Sequence, residues 1–202
     1  NYIVEIERIF KQAENDIEKE IAVWYQRFAG NNGITDMSEA KKRLNGKELK
    51  ELKWNVEEYI KHGRENGICA DWSKELENAS ARVHISRLDA LKLQCRQYIE
   101  NLYNSIDSNT GILLENIYRE SMYHTAYEIA KGTGIGASFA AIDTEWLKKI
   151  ILKPGSADGT NFSEKIWGEH RKKLVNTLHN QLTRGMLTGK TPDKIIDKIA
   201  KT

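Results

Sequence analysis

Residues 131–138 read KGTGIGAS, and Gly132, Gly134 and Ala137 satisfy the spacing G-x-G-x-x-A. In a dinucleotide-binding turn, such glycines bring the backbone against a pyrophosphate, which rests on the amide groups that open the next helix. That chemistry requires a strand ahead of the glycines. The residues that stand there, RESMYHTAYEIA, have helical character, and no βαβ pattern occurs elsewhere. The second candidate, TGKT at 188–191, has Arg184 where a P-loop needs a glycine five before Gly189. Both segments therefore read as joints between helices. Lys131 suits the negative end of a helix, and Gly132 is expected to take the left-handed conformation that terminates it. A nucleotide-binding enzyme using residues 131–138 is the alternative reading.

Other reactive side chains do not assemble into a site. His170 and His179 are nine residues apart, whereas a helical metal pair is spaced i, i+4. His62, His84 and His124 are isolated, and Cys69 and Cys95 form no C-x-x-C. No metal or cofactor site is expected. Cys95 falls on an apolar stripe, as a buried, inert thiol would. Two cysteines and no zinc pattern fit a reducing compartment.

The basic residues are more promising. The chain of 202 residues carries a net charge of only +2. From Lys148 to Lys201, however, there are 12 Lys and Arg against 5 Asp and Glu, and in the first 20 residues 3 against 6. An uneven basic half points to an acidic partner such as nucleic acid, or simply to a solvated helix surface. Lys165, Arg171, Lys172, Lys173 and Arg184 are candidate phosphate contacts, and Lys165, Lys172, Lys173 and Arg184 read as one polar face opposite the apolar stripe from Trp167 to Leu178.

The elements that must hold these residues are helices. With only two prolines, Pro154 and Pro192, long helices are allowed. Ile3, Ile6, Phe10, Ala13, Ile17, Ile21, Trp24 and Phe28 recur at helical spacing and end at GNNG, residues 30–33. A second stripe runs from Leu49 to Ile60 and a third from Ile85 to Ile106, which DSNTG at 107–111 is expected to break. A fourth helix is expected from about Ile112 to Lys131. Asp143 caps a short helix carrying Trp146, Ile150 and Leu152. KPGSADGTN (153–161) is a loop whose Asn161 caps a helix bearing Trp167, His170, Leu174, Leu178 and Met186. Thr191 and Pro192 open the last one, with Ile195, Ile196 and Ile199. ASFAAID, 137–143, is the best and weak candidate for an extended piece. The five tryptophans read mainly as core. The fold class is all-α: a helical bundle over 1–131 with a long N-terminal amphipathic helix, then a smaller basic helical region over 132–202. No apolar run is long enough for a membrane span, and no signal peptide opens the chain. The chain starts at Asn1 and stops at Thr202 within an amphipathic run, as a fragment trimmed at both ends would.

The ordered segments YRESMYHTAYEIAKGTGIGASFAAID and KPGSADGTNFSEKIWGEHRKKLVNTLHNQLTRGMLTGKTPDKIIDKIAK together resemble the minor head (MuF-like) morphogenesis family of Gram-positive phages and prophages. The elements that match are a tyrosine-rich helix running into K-G-T-G, then K-P-x-x-x-D-G-x-N-F-S, I-W, L-V-N-T-L-H and G-x-T-P-D-K-x-I. They cover about residues 118–202, with 1–117 as the variable helical region in front. The resemblance implies a minor capsid component in few copies at the portal vertex, with the portal and other head proteins as partners and packaged double-stranded DNA nearby. It implies no enzyme activity, no small-molecule substrate and residence in the virion, after assembly in the host cytoplasm. The family's downstream T-E-S segment, its His/Cys-rich motif and the toxin domains of some relatives are not in this sequence.

Overall fold

The computed structural model describes residues 2–29, 36–66, 70–82, 84–134, 143–152 and 162–201. The GNNG, ASFAAI and KPGSADGTN segments expected as turns, an extended piece and a loop lie outside them, as does the cap expected at Asn161.

Among the described residues the chain is all-α. The helices are α1 (Tyr2–Phe28), α2 (Met37–Lys41), α3 (Gly46–Asn66), α4 (Ala70–Ala81), α5 (Arg87–Thr133), α6 (Thr144–Leu152), α7 (Phe162–Leu187) and α8 (Pro192–Ala200). An isolated β-bridge pairs Arg43 with Ser86. The long N-terminal helix is present, and its stripe is the buried one: Ile6, Ala13, Ile17, Ile21, Trp24 and Phe28 face inward, while Ile3 at the first turn is exposed. α1 packs on α5, α7 packs on α5, and α8 closes against α1 and α7. One hydrophobic cluster joins Ile17 and Ile21 of α1, Ile99 of α5, Leu178 and Leu182 of α7, and Ile195 of α8. It draws on both sides of the boundary expected at 131/132.

α5 departs most from expectation. DSNTG does not break it; 47 residues run as one helix, about 70 Å long. The polar side chains there fold onto the helix instead of competing with it. Asn109 Nδ2 donates to Ser105 O at 2.9 Å, and Thr110, buried, shares a 2.8 Å hydrogen bond with Tyr2 OH of α1. These contacts offset the roughly 1 kcal/mol that Gly111 costs inside a helix. The helix also ends later than expected. Gly132 is helical, and Gly134 takes the left-handed residue at φ 66°, its N–H donating to Ala130 O. Thr133 Oγ1 bonds Ile129 O and carries the last turn past Gly132.

α2 and α4 were not evident in the sequence. α4 buries Trp72 and Leu76. On α6, Asp143 caps as expected, its Oδ1 accepting from Glu145 N and Trp146 N. Among its described side chains Leu147 and Ile151 are buried and Trp146 is exposed. Trp54 is also exposed and Trp167 half-buried, so only Trp24 and Trp72 are core tryptophans. At α8, Thr191 occupies the cap position with no side-chain bond, and Pro192 opens the helix. Cys95 is buried, and burial, then Glu20, push its thiol well above the usual range.

Gly185 is the point where α8 locks onto α7. A methyl group there would lie 2.3 Å from Ile195 Cδ1 and 2.6 Å from its Cγ1, and Ile195 is fully buried. Gly185→Ala gains about 1 kcal/mol of helix propensity. It must also displace a stiff, β-branched side chain from a filled core, which costs about 1–3 kcal/mol. The net expectation is a loss of about 1 kcal/mol, read as a lower urea midpoint; a midpoint that rises would show that Ile195 yields freely.

His179 of α7 is held neutral. Its Nε2 is buried without a hydrogen-bond partner, and burial, then the charges of Lys92 and Arg96, lower its pKa to about 4 against a smaller upward pull from Asp89. Its folded pKa lies below the unfolded value of about 6.5, so its contribution is complete above pH 6.5 and is lost as pH falls toward 4. With allowance for partial exposure this amounts to about 1–2 kcal/mol. His179→Leu is expected to flatten the stability profile between pH 6.5 and 4 relative to the parent, in urea titrations at each pH.

Candidate functional site

α7 carries all five expected phosphate contacts, and the helix separates them. Lys165, Lys172, Lys173 and Arg184 are exposed. Lys172 Nζ lies 3.0 Å from Glu169 Oε1 in an exposed i, i+3 pair, which at the surface is worth little. Lys165 and Lys173 also have partners. Arg171 is different. Its phase on α7 turns it toward α5, where its Nη1 lies 3.9 Å from Glu100 Oε2, with the two side chains 19% and 4% exposed. Arg171, one of the expected phosphate contacts, is here directed at a buried carboxylate.

His170, beside it, also belongs to the inside. Its Nδ1 is hydrogen-bonded with Tyr103 OH, and its ring stands 6.1 Å from Trp167 and 6.2 Å from Phe10. Burial and then the charge of Lys173 hold its pKa below the ordinary imidazole range.

A second group of basic residues lies at the far end of α7. Gly189, at φ 60°, ends the helix, and Lys190 N donates back to Gly185 O at 2.9 Å. This turn brings Arg184 and Lys190 beside Lys194 and Lys198 of α8. Lys194 and Lys198 are one turn apart on the exposed side of α8, whose other side buries Ile195, Ile196 and Ile199. The neighbouring cations, together with desolvation, lower the pKa of Lys190. Lys198 beside it is the largest cause, and the charges of Lys194 and Arg184 add to it. Asp193 and Asp197 are on α8 as well, yet neither is among the groups that act on Lys190. Four cations held this close favour an anion that spans them, because each added phosphate oxygen relieves their mutual repulsion.

Sequence reasoning placed Arg184 in the basic face and left out Lys190, Lys194 and Lys198. The available signal was the i, i+4 spacing of Lys194 and Lys198. The glycine segment keeps its helical lead-in up to Thr133; residues 135–142 lie outside the described set. Among the described residues, no helix is long and apolar enough to cross a membrane.

No protein-family model, curated protein or solved structure matches this chain.

The placement of Arg171 has a direct test. Arg171→Gln leaves Glu100 buried with Arg96 alone, and is expected to lower stability by about 1–2 kcal/mol. Lys172→Gln changes an exposed pair and is expected to stay within about 0.5 kcal/mol of the parent. Equal urea midpoints for the two variants would place Arg171 with the surface set.

Proposed function

We propose that this protein is a structural minor head component of a phage or prophage, of the MuF-like type, working at the portal vertex beside packaged double-stranded DNA. The observation that carries the reading is the convergence of Arg184, Lys190, Lys194 and Lys198 at the α7–α8 turn. It supplies a sequence-blind contact for a polyanion, since phosphate contacts position a protein without reading bases. The ordered resemblance over residues 118–202 supplies the setting: a virion head protein present in few copies, assembled in the host cytoplasm. In this reading the chain is not an enzyme and uses no cofactor.

The outer part of α5 supports a protein partner such as the portal or another head protein. Beyond Thr110 none of its described side chains is buried, although α6 packs against the helix. Tyr118, Met122, Tyr123, Tyr127 and Ile129 are all exposed, the last two at 60%. Aromatic and methionine side chains gathered on a surface are the composition of protein interfaces.

In a fluorescence-anisotropy salt titration on two unrelated duplexes, the parent chain is expected to bind both weakly and alike. Neutralising Lys194 and Lys198 to Gln is expected to weaken both equally and to make the log–log salt slope shallower by about 1.8, that is, about 0.9 per phosphate contact. Lys172→Gln with Lys173→Gln tests the middle of α7 in the same way. Absence of binding at about 50 mM salt would remove DNA from the reading and leave an acidic protein surface as the partner of this end.

A further inference from the structure

A cavity of about 260 Å³ lies between α1, α5, α7 and α8, walled by aliphatic side chains such as Ala13, Leu102 and Ile199 and by the rings of Phe10, Trp167 and His170. The space opens to solvent beside the exposed Glu14 and Ala200. A 150 Å³ apolar cavity accepts benzene, so this one has room for about ten non-hydrogen atoms. Four helices contribute to its wall, as in ligand sites built between the helices of bundles.

The lining also specifies chemistry. Its one carboxylate is Glu14, and it contains no Lys or Arg, so an anionic ligand gains nothing from it. The three rings, with centroids 6.1–6.3 Å apart, form an aromatic wall. His170 supplies the polar contact. Tyr103, almost fully buried, has His170 Nδ1 as its hydrogen-bond partner, and burial raises the phenol's pKa so that it keeps its proton. With the phenol as donor to Nδ1, the neutral ring carries its proton on Nε2 and has an N–H to offer.

We propose that this cavity is a binding site for an uncharged, mainly apolar molecule of about ten non-hydrogen atoms that bears one hydrogen-bond acceptor oxygen, received by the Nε2–H of His170. The inference rests on the α1–α5–α7–α8 core and is independent of the proposed role in a phage head.

The test is an NMR titration of the full chain with 1-indanone, a bicyclic ketone of this size, followed through the indole N–H of Trp167. Trp167→Phe assigns that signal. Indane, which lacks the oxygen, and protonated 1-aminoindane serve as comparisons. The expected result is saturable movement of the Trp167 signal by 1-indanone, about tenfold weaker binding of indane and none of the cation. Ala13→Leu, which fills the space, is expected to abolish binding without lowering the melting temperature. Should that variant fail to fold, Ile199→Phe fills the opposite wall and serves in its place. His170→Phe is expected to bring 1-indanone down to the affinity of indane. No movement up to the solubility limit, or binding that survives the filling variant, would overturn the site. Equal affinity of indane and 1-indanone in the parent would overturn the role of His170.

Discussion

Glu100 carries a carboxylate that is almost entirely removed from water, and the bundle is arranged around supplying it with partners. Arg96 reaches it from the preceding turn, Nε to Oε1 at 3.2 Å, and Arg171 reaches it from α7. Arg96 in turn bonds Glu75 of α4 and lies 4.6 Å from the centroid of the Trp72 ring. A charge buried in this way adds little to net stability and strongly disfavours arrangements that leave it unpaired. α7 and α4 are thereby held to one register on α5.

The same logic repeats along α5. Gln94, Gln97 and Thr110 are its other buried polar residues, and each bonds a different aromatic side chain. Gln94 accepts from Trp24 Nε1 of α1 at 2.6 Å, Gln97 accepts from Trp72 Nε1 of α4 at 2.8 Å, and Thr110 meets Tyr2 OH. Apolar contacts alone would permit α1 to slide along α5 by a turn, since one isoleucine layer resembles the next. A slide would deprive the buried Gln94 amide of its partner, at about 1–3 kcal/mol, and would break the Tyr2–Thr110 bond as well, so these two bonds, near the two ends of α1, fix its position. The hydrophobic effect gathers the helices, and these few polar pairs decide their alignment.

Legibility in the sequence followed the same division. The stripe of α1 and the caps of α6 and α8 could be read because period and local chemistry determine them. Trp72 could not be placed on a helix, because α4 is short and gains its stability from Gln97 and Arg96, which are distant in sequence. DSNTG reads as a break by composition, and one of the contacts that keep it helical comes from Tyr2, 108 residues away from Thr110. Arg171 sits in HRKKL and shares its composition with the exposed lysines; its phase on α7 and the unmet charge of Glu100 draw it inward. Of the candidate site, Arg184 was readable. The cluster it joins depends on the turn at Gly189, which folds α8 back beside α7.

The anchoring of α5 also has a mechanical side. From Gly111 to Thr133 the helix extends about 33 Å past its last buried residue. It is a cantilever: fixed in the bundle and loaded at whatever surface meets its tyrosines. A force applied near Gly134 acts on the bundle through that whole arm. The resulting torque falls on the first clamp it meets, the hydrogen bond between Thr110 and Tyr2 at the opening turn of α1. Strain at the tip is thus delivered to the start of α1, while the basic α7–α8 turn is tied to the opposite end of that helix, where Gly185 lies beside Tyr25.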